Sequence, residues 1–296
     1  MENKFCTLFR YAINSLAYAF CKNKLVIYAS VYIRNGKIIP QNWGDDINVY
    51  FWEYITGCNV IVANQSLFHR IVNRKAYSSI GSIVGWFGNE KTEIWGSGAI
   101  SSRSTVRIKP DKVHSVRGPL TRRLLMSQGI ECPERYGDPA LLLSKYYTPK
   151  TSSKKYRIGL IPHYVDIDNP VIRHFVKHND DTLLINLREY KNWTDIIDEV
   201  AACELIVSSS LHGLIVSDSY GIPNIWVSYS DKICGGTFKF LDYFESVGRT
   251  RQTVPIRIRE ERQLCDLTNN LPTDRISIDY DAIISTCPFK DKIKVV

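Results

Sequence analysis

The chain has 296 residues, 44% hydrophobic and 23% charged, with 38 Lys and Arg against 30 Asp and Glu. These proportions exclude a disordered or fibrous chain, and the length suits two domains of roughly 150 residues each. The net charge of +8 points to an anionic partner, but it is concentrated: residues 101–125 carry +6 and 249–262 carry +3, leaving the rest near neutrality. A compact anion site is therefore expected rather than a nucleic-acid stripe, and no zinc-finger spacing or RNA-binding signature accompanies the basic residues.

The first element in chain order is a helix. Phe5, Leu8, Phe9, Ala12, Ile13, Leu16, Ala17 and Phe20 recur at helical spacing, surrounded by Lys4, Arg10, Lys22 and Lys24. Arg10 and Asn14 interrupt what would be a signal-peptide core. Two readings stand: a helix packed on its own domain, and a helix lying on an anionic membrane. No stretch approaches the roughly 18 consecutive apolar residues of a membrane span.

Residues 24–29 read as a buried strand and 48–55 as a helix. Residues 59–63, 80–84, 92–95 and 112–116 read as further strands, and 119–128 as a helix ended by Gly129. The polar, turn-rich run 148–155 marks a boundary, giving domains 1–150 and 151–296. A second alternation follows. Strands are expected at 157–161, 182–187, 205–208 and 224–227, helices at 193–203 and from near His212 to Gly221, and a late amphipathic piece at 280–285. Short apolar strands alternating with helices predict an α/β protein of two doubly wound domains with parallel sheets, whose favoured site is the cleft between them.

The eight cysteines contain no CxxC pair, which argues against structural zinc or an iron–sulfur cluster. Those inside apolar runs, such as Cys203, read as small buried hydrophobes. A reducing compartment is expected, and the sequons at Asn64 and Asn192 then carry no meaning.

The strongest local signal is the segment Glu204-Leu205-Ile206-Val207-Ser208-Ser209-Ser210-Leu211-His212-Gly213. A hydrophobic strand ends in three serines, a histidine and a glycine just where a helix begins. There, backbone N–H groups and hydroxyls can converge on one anion, and imidazole can donate or transfer a proton. The plainer alternative is serines capping a helix beside a satisfied histidine.

Arg117 ends a strand before Gly118-Pro119, a place suited either to a bidentate grip on carboxylate or phosphate or to a solvated turn. Asp138, in Tyr136-Gly137-Asp138-Pro139, is a turn residue or a catalytic acid. Asp45, in Asn42-Trp43-Gly44-Asp45-Asp46, caps the following helix or binds a diol. Gly96-Ser97-Gly98 is half of a dinucleotide fingerprint, and Asp166-Ile167-Asp168 reads as a loop rather than a metal-binding pair. GxSxG, HExxH and GxxxxGK are absent, removing several hydrolase and ATPase readings.

Taken in order, Asn42-Trp43-Gly44-Asp45, Gly96-Ser97-Gly98, Ser115-Val116-Arg117-Gly118, Gly137-Asp138-Pro139-Ala140, Ser209-Ser210-Leu211-His212-Gly213 and Gly236-Thr237-Phe238-Lys239-Phe240 resemble the polysaccharide pyruvyl transferase family over about residues 24–247. The resemblance implies a GT-B-like fold, two Rossmann-like domains facing across a cleft. It also implies transfer of pyruvate from phosphoenolpyruvate onto two hydroxyls of one sugar, giving a cyclic ketal and phosphate. The acceptor it implies belongs to a bacterial surface polysaccharide or its lipid-linked precursor.

Arg117 and His212 match the family's donor-binding arginine and its Leu-His-Gly histidine. The family arginine is commonly followed by an acidic residue, where this chain has Gly118. Donor binding is expected of Arg117, Ser209, Ser210, Leu211, His212, Gly213 and Lys239. Acceptor binding goes to Asn42, Asp45, Gly96, Ser97 and Gly98, and catalysis to His212, Arg117, Asp138 and Asp45. The chemistry needs no cofactor or metal in principle, with phosphoenolpyruvate as co-substrate. The expected setting is the cytoplasm, with peripheral membrane contact at its inner face and no nucleic-acid partner. Two other classes remain: a GT-B glycosyltransferase using a nucleotide-sugar, and a non-catalytic carbohydrate- or phosphate-binding protein.

Overall fold

Two five-stranded parallel sheets realise the expected alternation in a computed structural model, which describes residues 4–150, 153–249, 252–268, 276 and 278–294. The chain divides into two compact units, Met1–Pro139 with Asp281–Val296, and Ala140–Tyr280.

In the first unit the elements are α1 (Lys4–Ala19), β1 (Lys24–Tyr28), the antiparallel hairpin β2 (Ile33–Arg34) and β3 (Lys37–Ile38), α2 (Trp43–Thr56), β4 (Asn59–Val62), α3 (Leu67–Ile71), β5 (Ala76–Ser78), β6 (Thr92–Trp95), β7 (Lys112–Ser115) and α4 (Pro119–Ser127). The sheet runs β4-β1-β5-β6-β7 with every pair parallel. Helix α2 starts at Asn42 because Asp46 reaches back: its Oδ2 accepts the backbone N–H groups of Gln41 at 3.2 Å and Asn42 at 3.3 Å. It ends at Gly57, whose φ of +65° and N–H bond to Glu53 O close the last turn.

A strand is absent from 80–84, contrary to expectation. Gly81 at φ +113° and Gly85 at φ +88° turn the chain there, and the strand lies earlier, at β5. Ile80, Ile83 and Val84 are nonetheless buried, so their apolar run records burial of a loop rather than pairing in a sheet.

The second unit contains α5 (Leu143–Tyr146), β8 (Tyr156–Ile161), α6 (Pro170–His178), β9 (Thr182–Leu184), α7 (Asp195–Ala201), β10 (Cys203–Ser208), α8 (Leu211–Ser219), β11 (Asn224–Ser228), α9 (Phe238–Ser246), β12 (Ile256–Arg257) and α10 (Glu261–Thr268). Its sheet runs β12-β11-β10-β8-β9, again wholly parallel. Counting only each sheet's own strands, both have the order 2-1-3-4-5 of doubly wound folds. Helix α8 is buried along its whole length, and apart from His212 and Asp218 its residues are apolar or small.

The units meet in sequence at residue 139, not at the polar run near 150. Leu141, Leu142 and Leu143 are buried, Ser219 Oγ donates to Leu141 O at 2.9 Å, and Tyr220 OH donates to Tyr147 O at 2.8 Å. These bonds tie the 140s to α8. The tail after Tyr280 also leaves the expected second domain. Helix α11 (Tyr280–Ser285) leads back to the first unit, where Trp95 Nε1 donates to Ile283 O and Thr286 Oγ1 at 3.2 and 3.0 Å. Phe289 then packs against Trp52, Trp95 and Tyr77, with ring centroids 5.1–5.4 Å apart.

Candidate active site

In a 2-1-3-4-5 sheet the chain leaves the first and third strands in opposite directions, opening a crevice at their carboxyl ends. In the second unit those strands are β8 and β10, followed by Pro162-His163 and by Ser209-Ser210-Leu211-His212. The backbone N–H of His163 donates to Ser209 Oγ at 2.8 Å, and that of Ser209 donates to Ile161 O at 3.1 Å. The two segments are thereby held together across the switch point.

The three serines divide the work. Ser208 Oγ lies 2.9 Å from both Ile161 O and Ser210 O and accepts the Ser210 N–H at 3.0 Å, so it is structural. Ser210 is the N-cap of α8, yet its side chain makes no capping bond. The first N–H groups of a helix have no acceptor within it, so this end suits an anion. Gly213 lets the helix settle on the strand end, because a Cβ there would overlap Ser208 Oγ. His212 sits in the first turn, buried to 8% exposure.

Lys239, in the first turn of α9, is equally buried, and its charge is felt at His163. Burial first, and then this ammonium, push the His163 imidazole down from 6.5 to about 4. Its Nδ1 accepts the Val165 N–H at 3.4 Å, so the neutral ring carries its proton on Nε2.

The folded-state value lies below the unfolded one, so the unfolded chain takes up this proton first as pH falls. Stability from this group is therefore intact above about pH 6.5 and declines towards about pH 4, by at most about 3.5 kcal/mol. Urea midpoints measured across that window should fall for the wild type and stay flatter for His163→Gln.

In the first unit the corresponding switch point lies between β1 and β5. Asn48 Nδ2 bridges it, donating to Tyr28 O at 3.4 Å and Ile80 O at 3.0 Å. Asp46 does the capping expected of Asp45. The half-buried Asp45 accepts from Asn42 Nδ2 at 2.7 Å and lies beside Gly81. Ser79, immediately after β5, is fully buried, and its hydroxyl has no hydrogen-bond partner among the described residues. Asn64 is held by both backbone groups of Ala29, at 3.3 and 2.9 Å.

Gly96, Ser97 and Gly98 serve the strand ends from within. Ser97 Oγ donates to Gly81 O at 2.9 Å, and a Cβ on Gly98 would overlap the Arg117 guanidinium. Arg117 itself is fully enclosed: Nη1 donates to Ser82 Oγ at 2.6 Å and Nη2 to Ala99 O at 2.8 Å. The fork thus braces the loops after β5 and β6, and in this arrangement it does not stand open to a ligand. Asp138 is also fully buried, just after Gly137, whose N–H donates to Val116 O and Arg117 O.

Arg117→Lys keeps the charge but cannot span both partners. The expected outcome is a lower thermal midpoint with unchanged donor affinity in the folded fraction. Titration calorimetry beside a melting curve separates this bracing role from a donor grip.

His163 and Ser79 were not singled out from the sequence. Each lies just past a strand end, a weak signal until the strand order shows which ends border a crevice. Among the described residues, the side chains whose ligand atoms converge for a metal are His174, His178 and Glu261, all within 4.8 Å of one another on α6 and α10.

The fold and these strand ends define a doubly wound α/β protein whose second switch point gathers hydroxyls, imidazoles and an ammonium. The family model for polysaccharide pyruvyl transferase matches residues 2–231, and the chain belongs to that family. It is 28% identical over 249 residues to the uncharacterized protein L143 of Acanthamoeba polyphaga mimivirus, covering 82% of this chain and 83% of that one. It is 24% identical over 232 residues to the succinoglycan biosynthesis protein ExoV of Rhizobium meliloti (strain 1021), covering 75% of this chain and 67% of that one. Pyruvate transfer in polysaccharide biosynthesis is the activity that these matches support.

Proposed function

We propose that the protein transfers pyruvate from phosphoenolpyruvate onto two hydroxyls of one sugar, closing a cyclic ketal and releasing phosphate. The observation that carries this reading is the switch point of the second unit, where Ser209, His163 and the first turn of α8 meet near buried Lys239. Such a place suits a substrate that is both carboxylate and phosphate, because N–H groups and a fixed cation stabilise it without reorganising.

On this reading the donor phosphate lies against the first turn of α8, with the Nε2–H of His163 and the ammonium of Lys239 as further donors. His212 protonates the methylene carbon as C2 becomes electrophilic. One sugar hydroxyl adds at C2, and the second then displaces phosphate. The hydroxyls release two protons: one balances the proton given to the methylene, and the other leaves with phosphate. The helix dipole favours neutral imidazole and a phosphate dianion favours imidazolium, so donor binding itself would load the proton that the first step consumes.

The acceptor falls to the first unit, with Asn42 and Asp45 meeting the diol and Asp45 taking a hydroxyl proton. Ser79 adds a buried hydroxyl, and Gly96, Ser97 and Gly98 shape the floor. Asp138 and Arg117 act as positioning residues beneath it. On this reading the reaction takes place in the cytoplasm on a lipid-linked acceptor.

The test is incubation with phosphoenolpyruvate and a panel of lipid-linked galactosides, read by mass spectrometry and phosphate release. A gain equal to pyruvate less one water, with stoichiometric phosphate, supports the proposal. Transfer of a hexose from a nucleotide-sugar instead, with no use of phosphoenolpyruvate, would replace it with the glycosyltransferase reading.

A further inference from the structure

We propose that the outward face of α1, with the groove beside it, binds the anionic surface of a lipid bilayer. The inference uses no step of the transfer chemistry and rests on how α1 is seated. Its inward face carries Arg10 and Asn14 beside Tyr18. Arg10 and Asn14 are buried, with Arg10 Nη1 donating to Ile33 O at 3.0 Å and Gln65 Oε1 at 2.5 Å. Asn14 Nδ2 donates to Ile33 O at 3.1 Å and Gln65 O at 2.9 Å, and its Oδ1 accepts the Gly36 N–H at 3.1 Å.

Its outward face is apolar, and Phe20 just past its end continues it: Phe5, Leu8, Phe9, Leu16 and Phe20 are 81, 53, 65, 67 and 89% exposed. At about 100° per residue these five occupy one arc of roughly 120°, opposite Arg10 and Asn14. Burying a guanidinium and an amide while leaving three phenylalanines and two leucines in water reverses the usual preference of a surface helix. The seating makes sense if the outward face meets an apolar medium.

The neighbourhood indicates which medium. Leu16 and Ala19 form one side of a groove of about 820 Å³ that Phe68 of α3 also lines. Lys24, Arg74, Lys75 and Lys91 are among its lining residues, and no carboxylate is. Lys75 is paired with Glu93 at 2.5 Å, which leaves Lys24, Arg74 and Lys91 as the cations facing outward. Exposed Lys4 and Lys22 flank the two ends of α1, and α1 carries no acidic residue.

An apolar stripe beside a groove lined by cations and no carboxylate fits an anionic headgroup layer, with the rings below it and the ammonium groups at the phosphates. At 16 residues, α1 is about 24 Å long. It would lie in the interface plane, and no helix among the described residues is long and apolar enough to cross a membrane.

The experiment is sedimentation of the full-length protein with phosphatidylcholine vesicles, with and without phosphatidylglycerol. Binding is expected only with the anionic lipid, and should weaken steeply as salt shortens the Debye length from about 10 Å to about 3 Å. Phe5→Ser/Phe9→Ser/Leu16→Ser should reduce binding at least tenfold with an unchanged melting temperature, since those side chains are exposed. Lys22→Gln and Lys91→Gln should each reduce it roughly fivefold.

Absence of the wild type from the anionic pellet, or equal pelleting of the triple serine variant, would overturn the proposal. So would a dimer seen by analytical ultracentrifugation that the same variant dissolves, because a second copy would then cover the face. Transfer to a water-soluble acceptor should be the same for wild type and variant, so failure here and failure of the transfer reading are separately visible.

Discussion

Arg249→Ala is expected to destabilise the protein by about 3–5 kcal/mol, the range for removing one partner of a buried ion pair. Arg249 Nη2 donates to Asp218 Oδ1 at 2.6 Å, and Nη1 donates to Asn224 Oδ1 at 2.9 Å. Asn224 Nδ2 also donates to Asp218 Oδ1, and Tyr243 OH donates to Oδ2, both at 2.7 Å. The Arg249 guanidinium lies 4.9 Å from the Phe244 ring centroid. Truncation would leave the Asp218 carboxylate buried with its charge uncompensated, and the cost comes from that residue more than from the lost bonds.

Asp218 lies on α8, the helix that carries His212, so the damage should reach the candidate site as well. Denaturant unfolding measures the loss. Asp218→Asn in the Arg249→Ala background should recover part of it by removing the stranded charge, and no recovery would show that the carboxylate is not the source.

His212→Ala is expected to reduce transfer at least ~10²-fold, the contribution of a positioned acid–base group, while the protein still folds. His212→Gln keeps a hydrogen-bond donor without a comparable titrating proton. It should retain more donor affinity than alanine, and its rate should vary less with pH. Ser217→Ala is the fitting packing control, because Ser217 Oγ only back-bonds to Gly213 O at 2.6 Å within α8. Ser208 is unsuitable, since its hydroxyl holds Ser210 and the end of β8 together. Single-turnover rates with phosphoenolpyruvate give the readout, and near-wild-type transfer by folded His212→Ala would move the acid role to another residue.

The stretches that are both strongly apolar and bounded by turn residues were legible as elements. The strands at 24–28, 59–62, 92–95, 156–161 and 203–208 fall where local patterning put them. Helices α6, α9 and α10 were not read, although Asn169 caps α6 by accepting the Val171 N–H at 2.9 Å. Helix α6 buries Ile172 and Phe175 and α10 buries Leu264, so the apolar period of these two is faint among many charges. The Ser-Ser-Ser-Leu-His-Gly segment was legible as a strand end running into a helix start, because apolar, small polar and glycine residues coincide within ten positions.

Sequence alone determined the parallel α/β class, the strand-to-helix junction after β10 and the amphipathic character of α1, all of which follow from patterns within one or two elements. Tertiary structure decided the rest, because those features depend on residues far apart in the chain. The shared 2-1-3-4-5 order brings His163 to Ser209, from 46 positions away. The enclosure of Arg117 comes from Ser82 and Ala99, in the loops after two other strands. The outward turn of the α1 phenylalanines is set by Ile33 and Gln65, which capture Arg10 and Asn14. A helical period shows that two faces differ; only the partners supplied by the fold determine which face turns inward.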